Sequence, residues 1–177
     1  MLTQLQKSKA LIRFANKLRY SQRIIFSDEG NLDSVDKIYY ESQEAKVSEK
    51  PSGLWYSLGK AWITFLNDPD GVQSWRTKRT AIISHVYQIY PNDTTLKIRT
   101  AEDFSRFEAE FATKNKEKIY WRRVANQYNG IEIRFMPWAV HRDSVWYWHW
   151  DCSSGCIWDN KAISKIRLLK SWSLFWR

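Results

Sequence analysis

Asn129-Gly130-Ile131-Glu132-Ile133-Arg134 constrains this chain more than any other stretch, because it places a carboxylate in a short apolar strand directly after a turn signal. Asn-Gly favours the positive φ of a tight turn, and the Ile-Glu-Ile alternation gives Glu132 the face opposite the two isoleucines. Two readings follow. A rigid strand start can hold a catalytic acid while a neighbouring loop presents a substrate. Alternatively, Glu132 and Arg134 lie on the solvent face of an edge strand and keep it soluble.

The rest of the chain alternates strand and helix signals without regular βαβ repetition, which predicts an α+β domain with largely antiparallel sheets and flanking helices. Helical spacing is read over 3–20, 59–66, 100–111 and 118–128, with Phe104, Phe107 and Phe111 as one stripe. Strands are read over 37–40, 54–57, 81–90 and 96–99. Val145 to Trp150 alternates strictly, so a strand there would put Trp146, Trp148 and Trp150 on one face, with 156–158 completing a hairpin. At 177 residues the chain suits one domain, and residues 1–34 read as an N-terminal basic helical arm. The sequence has no apolar run of membrane-spanning length, and Met1 to Lys7 lacks the apolar core of a secretory signal, so a cytoplasmic protein with no membrane partner is expected.

The net charge of +9 is unevenly distributed. Both ends are purely basic, and further clusters fall at Arg76, Lys78 and Arg79 and around Lys114 to Arg123. Such surfaces concentrate polyanions through counterion release, so a nucleic acid partner is expected. Solvated basic faces, or an acidic protein partner, account for the same charge. The aromatic share of 16% exceeds what packing requires and points to a lined pocket as well as a core.

Several chemistries lack their residues. The sequence contains no Gly-x-Gly-x-x-Gly, Walker loop or Gly-x-Ser-x-Gly elbow, which argues against Rossmann dehydrogenases, P-loop NTPases and α/β hydrolases. His149, Cys152 and Cys156 could supply three zinc ligands, but a local fourth is missing and the spacing is not that of structural zinc sites, so no metal is expected. Asp68, Asp70, Glu132, Asp143 and Asp151 are the acids a metal-dependent nuclease would draw on.

Two segments carry a more definite signal. Lys37-Ile38-Tyr39-Tyr40-Glu41-Ser42, followed by Ser52-Gly53-Leu54-Trp55-Tyr56-Ser57, resembles the first two motif strands of the ADP-ribosyltransferase superfamily, and Glu132 on a late strand resembles its catalytic glutamate. The resemblance implies a split antiparallel fold and NAD as co-substrate. It also implies a nicotinamide cleft around Tyr40, Ser42, Trp55, Tyr56 and Ser57, with Glu132 steadying the positive charge of an oxocarbenium-like state. Gly130 stands where arginine-modifying members carry Glu or Gln. The loop facing the acceptor carries Arg122, Arg123, Gln127, Tyr128 and Asn129, which suit phosphates, rings and base edges. Transfer of ADP-ribose to an RNA or DNA base is therefore the expected activity, in a toxin or phage–host conflict factor, a role that leaves room for an inhibitory protein partner. The first-motif position, Arg or His in most members, falls on Tyr40. A non-enzymatic nucleic-acid-binding module, modification of a protein, and a metal-dependent nuclease are the alternatives.

Overall fold

A computed structural model describes residues 4–28, 32, 43, 47–67 and 83–172. The proposed first-motif strand with Tyr40 and Ser42, the acids Asp68 and Asp70, and the basic cluster at 76–79 lie outside these residues.

Seven strands form one sheet: β1 (Arg23–Ser27), β3 (Leu54–Leu58), β4 (His85–Pro91), β5 (Thr95–Ile98), β7 (Gly130–Ile133), β8 (Ser154–Ile157) and β9 (Ile163–Ser171). Their order is β5-β7-β8-β3-β1-β4-β9, antiparallel throughout except for the parallel pair β5 and β7. Two short strands, β2 (Val47–Ser48) and β6 (Ile119–Tyr120), pair separately. The helices are α1 (Gln4–Ala15), α2 (Ala61–Leu66), α3 (Ala101–Phe111), α4 (Trp121–Ala125) and α5 (Trp138–His141). The fold is thus mixed α+β around a mostly antiparallel sheet, with the main strands in one sheet rather than two.

Register divides the side chains between two faces. Ile131, Cys156 and Trp55 stand opposite one another on β7, β8 and β3, and Glu132, Gly155 and Tyr56 form the next row on the other face. The first face is covered by helices in two places. Near β7, Ile131, Ile133 and Cys156 pack with Phe104, Phe107 and Phe111 of α3, Trp121 and Val124 of α4, and Trp146 and Trp150. Near β1, Ile24, Phe26 and Val86 pack with Leu11 and Ala15 of α1 and Ile63 of α2. The second face buries Ile25, Tyr56, Leu58, Tyr87, Ile89 and Ile157 against Ala162 and Ile163.

Several expectations change. β7 is paired on both edges by β5 and β8, so the edge-strand reading fails, and all four of its residues are buried. Gly130 is not the positive-φ residue of a tight turn; among the described glycines only Gly53 and Gly59 have positive φ. Gly130 is required by close approach instead, since a Cβ there would stand 2.9 Å from the Cys156 carbonyl oxygen. Within the N-terminal segment, Leu11 and Ala15 are core, and β1 runs between β3 and β4. The helix read over 118–128 shortens to α4, because Ile119 and Tyr120 pair with Ser48 and Val47.

The tryptophan segment is also not a strand. Val145–His149 is a 3-10 helix, and β8 starts only at Ser154. Its tight turns are closed by Tyr147 N–H to Ser144 O (2.9 Å) and Trp150 N–H to Tyr147 O (2.7 Å). Trp146, Tyr147 and Trp150 therefore turn inward while Trp148 and His149 turn out. The indole N–H of Trp146 is satisfied by the buried Glu108 carboxylate at 2.9 Å, which anchors the turn.

Candidate functional site

Glu132 is 2% exposed and saturated with partners. Arg23 from β1 grips it with two parallel bonds, Nε to Oε2 and Nη2 to Oε1, both 2.7 Å. The Tyr56 hydroxyl donates to Oε2 at 3.2 Å. Strands β7 and β3 are separated by β8, so Tyr56 crosses about 10 Å of sheet to reach the carboxylate. It does so over Gly155, where a Cβ would stand 2.3 Å from the Tyr56 ring. Arg23 comes from one strand farther, and the curl of the sheet brings it within reach. The bidentate bond and the Glu132 charge hold the Arg23 guanidinium above its usual pKa, against the opposing effect of burial. Burial first, and the Glu132 charge second, push the Tyr56 phenol well above its ordinary value.

The opposite face of the sheet carries an aromatic cleft of about 440 Å³. It opens where the two helix-covered core clusters part. Phe26 and Asp28 line it from β1 and the residue after it, Trp55 and Ser154 from β3 and β8, and Trp62, Ile63, Phe65 and Leu66 from α2. Trp150, Asp151 and Cys152 complete it from the segment entering β8, with Lys50 and Ile83 at its margin. The Trp55 and Trp150 rings lie 4.9 Å apart between centroids, tilted by 56°. Lys50 sits 5.5 Å above the Trp55 ring and pairs with Asp151 at 3.1 Å. The indole N–H of Trp150 is buried and has no acceptor among the described residues. Burial, reinforced by the Asp151 charge, pushes the Cys152 thiol up to about 12, so this sulfur is protonated and a poor nucleophile at neutral pH.

The structure separates residues that the sequence reading joined. Trp55 lines the aromatic cleft; Tyr56 and Glu132 face away from it on the other side of the sheet. Ser57 is buried, and its hydroxyl accepts from Trp62 N–H and donates to Gly59 O, both at 3.1 Å, so it organises the turn into α2. Of the expected acceptor loop, Arg122 and Arg123 are exposed on α4, with Arg123 5.9 Å from the Tyr120 ring. Gln127 donates to Glu110 at 2.8 Å, the Tyr128 carbonyl accepts from the Trp158 indole at 2.9 Å, and Asn129 donates to Thr94 Oγ1 at 3.2 Å. Those two side-chain amides and one backbone carbonyl hold the loop to the body of the protein. The sequence did not single out Lys50, Trp62 or Trp150 for this cleft, and it offered Asp151 only as an acid for a metal-dependent nuclease. Asp151 follows the tryptophan run directly, but only the 3-10 turn brings Trp150 and Asp151 to Trp55.

No family model, no curated protein and no solved structure matches the chain. Among the described residues, no group of three His, Cys, Asp or Glu side chains is placed to hold a metal ion, and no helix is long and apolar enough to cross a membrane.

Proposed function

We propose that the chain is an NAD-dependent mono-ADP-ribosyltransferase acting on nucleic acid, with the cleft of Trp55 and Trp150 as its NAD site and Asp151 as the carboxylate beside it. The observation that carries this reading is the cleft itself: three tryptophans, Trp55, Trp62 and Trp150, with a Lys50–Asp151 pair at 3.1 Å. The residues fit the ligand class. Nicotinamide in NAD is a flat cationic ring, suited to indole faces and to a nearby carboxylate. The ammonium of Lys50 suits a phosphate, and the unsatisfied Trp150 indole N–H suits a carbonyl or hydroxyl acceptor.

Bound NAD supplies the nicotinamide–ribose bond, which breaks with its electron pair leaving on nicotinamide while a lone pair of the acceptor base bonds to the ribose carbon and the base gives up a proton. Asp151, 47% exposed at the mouth of the cleft, would place negative charge beside the indoles, where positive charge develops. Lys50 is positioned to exchange Asp151 for phosphate. Glu132, in this reading, holds the sheet together: both its oxygens are engaged and it faces away from the cleft.

Labelled NAD, incubated with mixed RNA, DNA and protein, tests the assignment. Transfer is expected with the parent protein and with a folded Glu132→Gln variant, and is expected to fall at least about 100-fold in Asp151→Asn, the scale of losing one stabilising group in a transition state. Transfer that is lost in folded Glu132→Gln and kept in Asp151→Asn returns the catalytic role to Glu132. No transfer by the parent, with oligonucleotide binding intact, leaves the non-enzymatic nucleic-acid-binding reading, which the basic charge also supports.

A further inference from the structure

We infer that an exposed aromatic ridge following β7 is a stacking platform for single-stranded nucleic acid. Phe135, Trp138 and Trp148 are 53%, 62% and 53% exposed, although most tryptophans of the described chain are buried or half-buried. The Trp138 and Trp148 rings sit side by side, 6.1 Å between centroids and tilted by only 31°. Two adjacent indoles left open to water cost hydration free energy that a ligand covering them would recover.

The ridge is built on a fixed floor. Buried His141 meets Trp138 edge-on at 5.4 Å, Phe135 at 6.1 Å and Tyr147 at 4.8 Å. The Ser153 hydroxyl accepts both the Phe135 N–H at 2.8 Å and the Tyr20 hydroxyl at 2.5 Å. Tyr20 is itself 46% exposed, and the Arg134 guanidinium lies 5.7 Å from its ring. Rigid rings lose little entropy on stacking a base, which is how sequence-tolerant single-strand binders gain affinity.

Charge selects the occupant. Arg134, next to Phe135 in the chain, is exposed and lies against the Tyr20 ring, and exposed Arg142, just after α5, pairs with Asp143 at 3.6 Å. The chain as a whole carries +9, which draws a polyanion to the protein, and exposed Arg134 offers it a guanidinium next to Phe135. Bases would stack on the indoles while phosphates meet the guanidiniums. A duplex keeps its bases stacked internally and cannot use the rings in this way. The 3-10 turn that carries Trp148 outward leads directly into Trp150 and Asp151 of the cleft, so ridge and cleft are neighbours along the chain, and a strand held on the ridge would serve as the acceptor. Only this last point, that the strand is the acceptor, rests on the proposed activity.

Anisotropy of labelled oligo(U) and oligo(dT), against a duplex of equal length, tests the platform. The parent is expected to prefer single strands, and the double variant Trp138→Ala/Trp148→Ala is expected to bind them about 10- to 100-fold more weakly, given the usual worth of one or two stacked bases. Because both rings are exposed, the variant should keep the parental circular dichroism. Arg134→Gln is expected to make the salt dependence shallower. Trp55→Ala serves as the separating control: it should lose NAD binding and keep oligonucleotide binding, so failure at the cleft and failure at the ridge read out differently. Unchanged oligonucleotide affinity in the folded double variant, equal preference for duplex, or displacement of the strand by poly-glutamate at equal charge concentration would each overturn the proposal, the last in favour of an acidic protein partner.

Discussion

At the scale of single residues, the Arg23–Glu132 pair shows why a lone carboxylate in a strand is an ambiguous signal. The alternation of Ile131, Glu132 and Ile133 correctly places Glu132 opposite the isoleucines, but the side that pattern leaves for solvent is covered here by a second core. The partner that neutralises it stands 109 residues earlier in the chain, a separation that no local pattern reveals. Glu132 is buried and Arg23 partly exposed, so removing Arg23 leaves the buried carboxylate uncompensated, at a cost of up to about 3 to 5 kcal/mol, while the guanidinium left by removing Glu132 is partly relieved by solvent. Arg23→Met alone should therefore lower the urea midpoint strongly, and Glu132→Leu alone less so. The double variant should recover much of the loss, since replacing both charges removes the desolvation penalty together with the attraction. Additive losses in the double variant would show that the two charges do not depend on one another. Gly155 belongs to the same arrangement: Gly155→Ala would place its Cβ 2.4 Å from the Tyr56 hydroxyl and 2.6 Å from the Ile131 carbonyl. A buried ring and a backbone atom cannot both yield, so a loss of about 1 to 3 kcal/mol in chemical unfolding is expected.

At the scale of elements, legibility followed how locally each was determined. The helix at 101–111 was plain in the sequence because Phe104, Phe107 and Phe111 fall on one face; the structure adds a reciprocal cap between Thr100 and Asp103. The strands read over 54–57 and 96–99 were legible from equally local alternation, and they form as Leu54–Leu58 and Thr95–Ile98. The tryptophan segment was not, because alternation of rings is compatible with a strand, and the preference for a 3-10 turn comes from distant groups, the Glu108 carboxylate and the Lys116 carbonyl that receives the Trp146 N–H at 3.1 Å. The cap of α3 gives a pH-dependent outcome. The Arg99 N–H, donating to Asp103 Oδ2 at 3.0 Å, is the largest influence lowering the Asp103 pKa, aided by Thr100 and opposed by burial. A folded pKa below the unfolded one means that the contribution to stability is full above the ordinary carboxylate range and is lost as pH falls through the folded value. Asp103→Asn should therefore lower stability near neutral pH and flatten the dependence below about pH 4. Thr100→Ala should cost about 1 kcal/mol at neutral pH. Thermal unfolding across an acid series reads both, and an unchanged acid limb in Asp103→Asn would show that this carboxylate is not tuned by its cap.

At the scale of the whole molecule, the cleft separates two parts of one helix-covered face. The core around α1 and α2 and the core around α3 and α4 share the sheet, but Trp62 and Ile63 face Trp150 across open space rather than packing on it. Composition made an aromatic-lined pocket foreseeable. Its location was not, because its walls come from four separate stretches of chain, and Lys50, Trp55, Trp62 and Asp151 meet only once β8 is paired between β3 and β7. A ligand seated there bridges both cores, and because it binds only the folded arrangement, it must stabilise that arrangement by mass action. Saturating NAD at about 100 times its dissociation constant should add about 2.7 kcal/mol to the unfolding free energy. Trp55→Ala, which removes one stacking wall on a partly exposed strand residue, should leave a folded protein whose midpoint no longer responds to NAD. The same titration with nicotinamide alone should give a smaller rise, since it engages the indoles without reaching Lys50. Equal NAD stabilisation of the parent and of Trp55→Ala would place the dinucleotide elsewhere on the molecule and separate the cleft from the proposed chemistry.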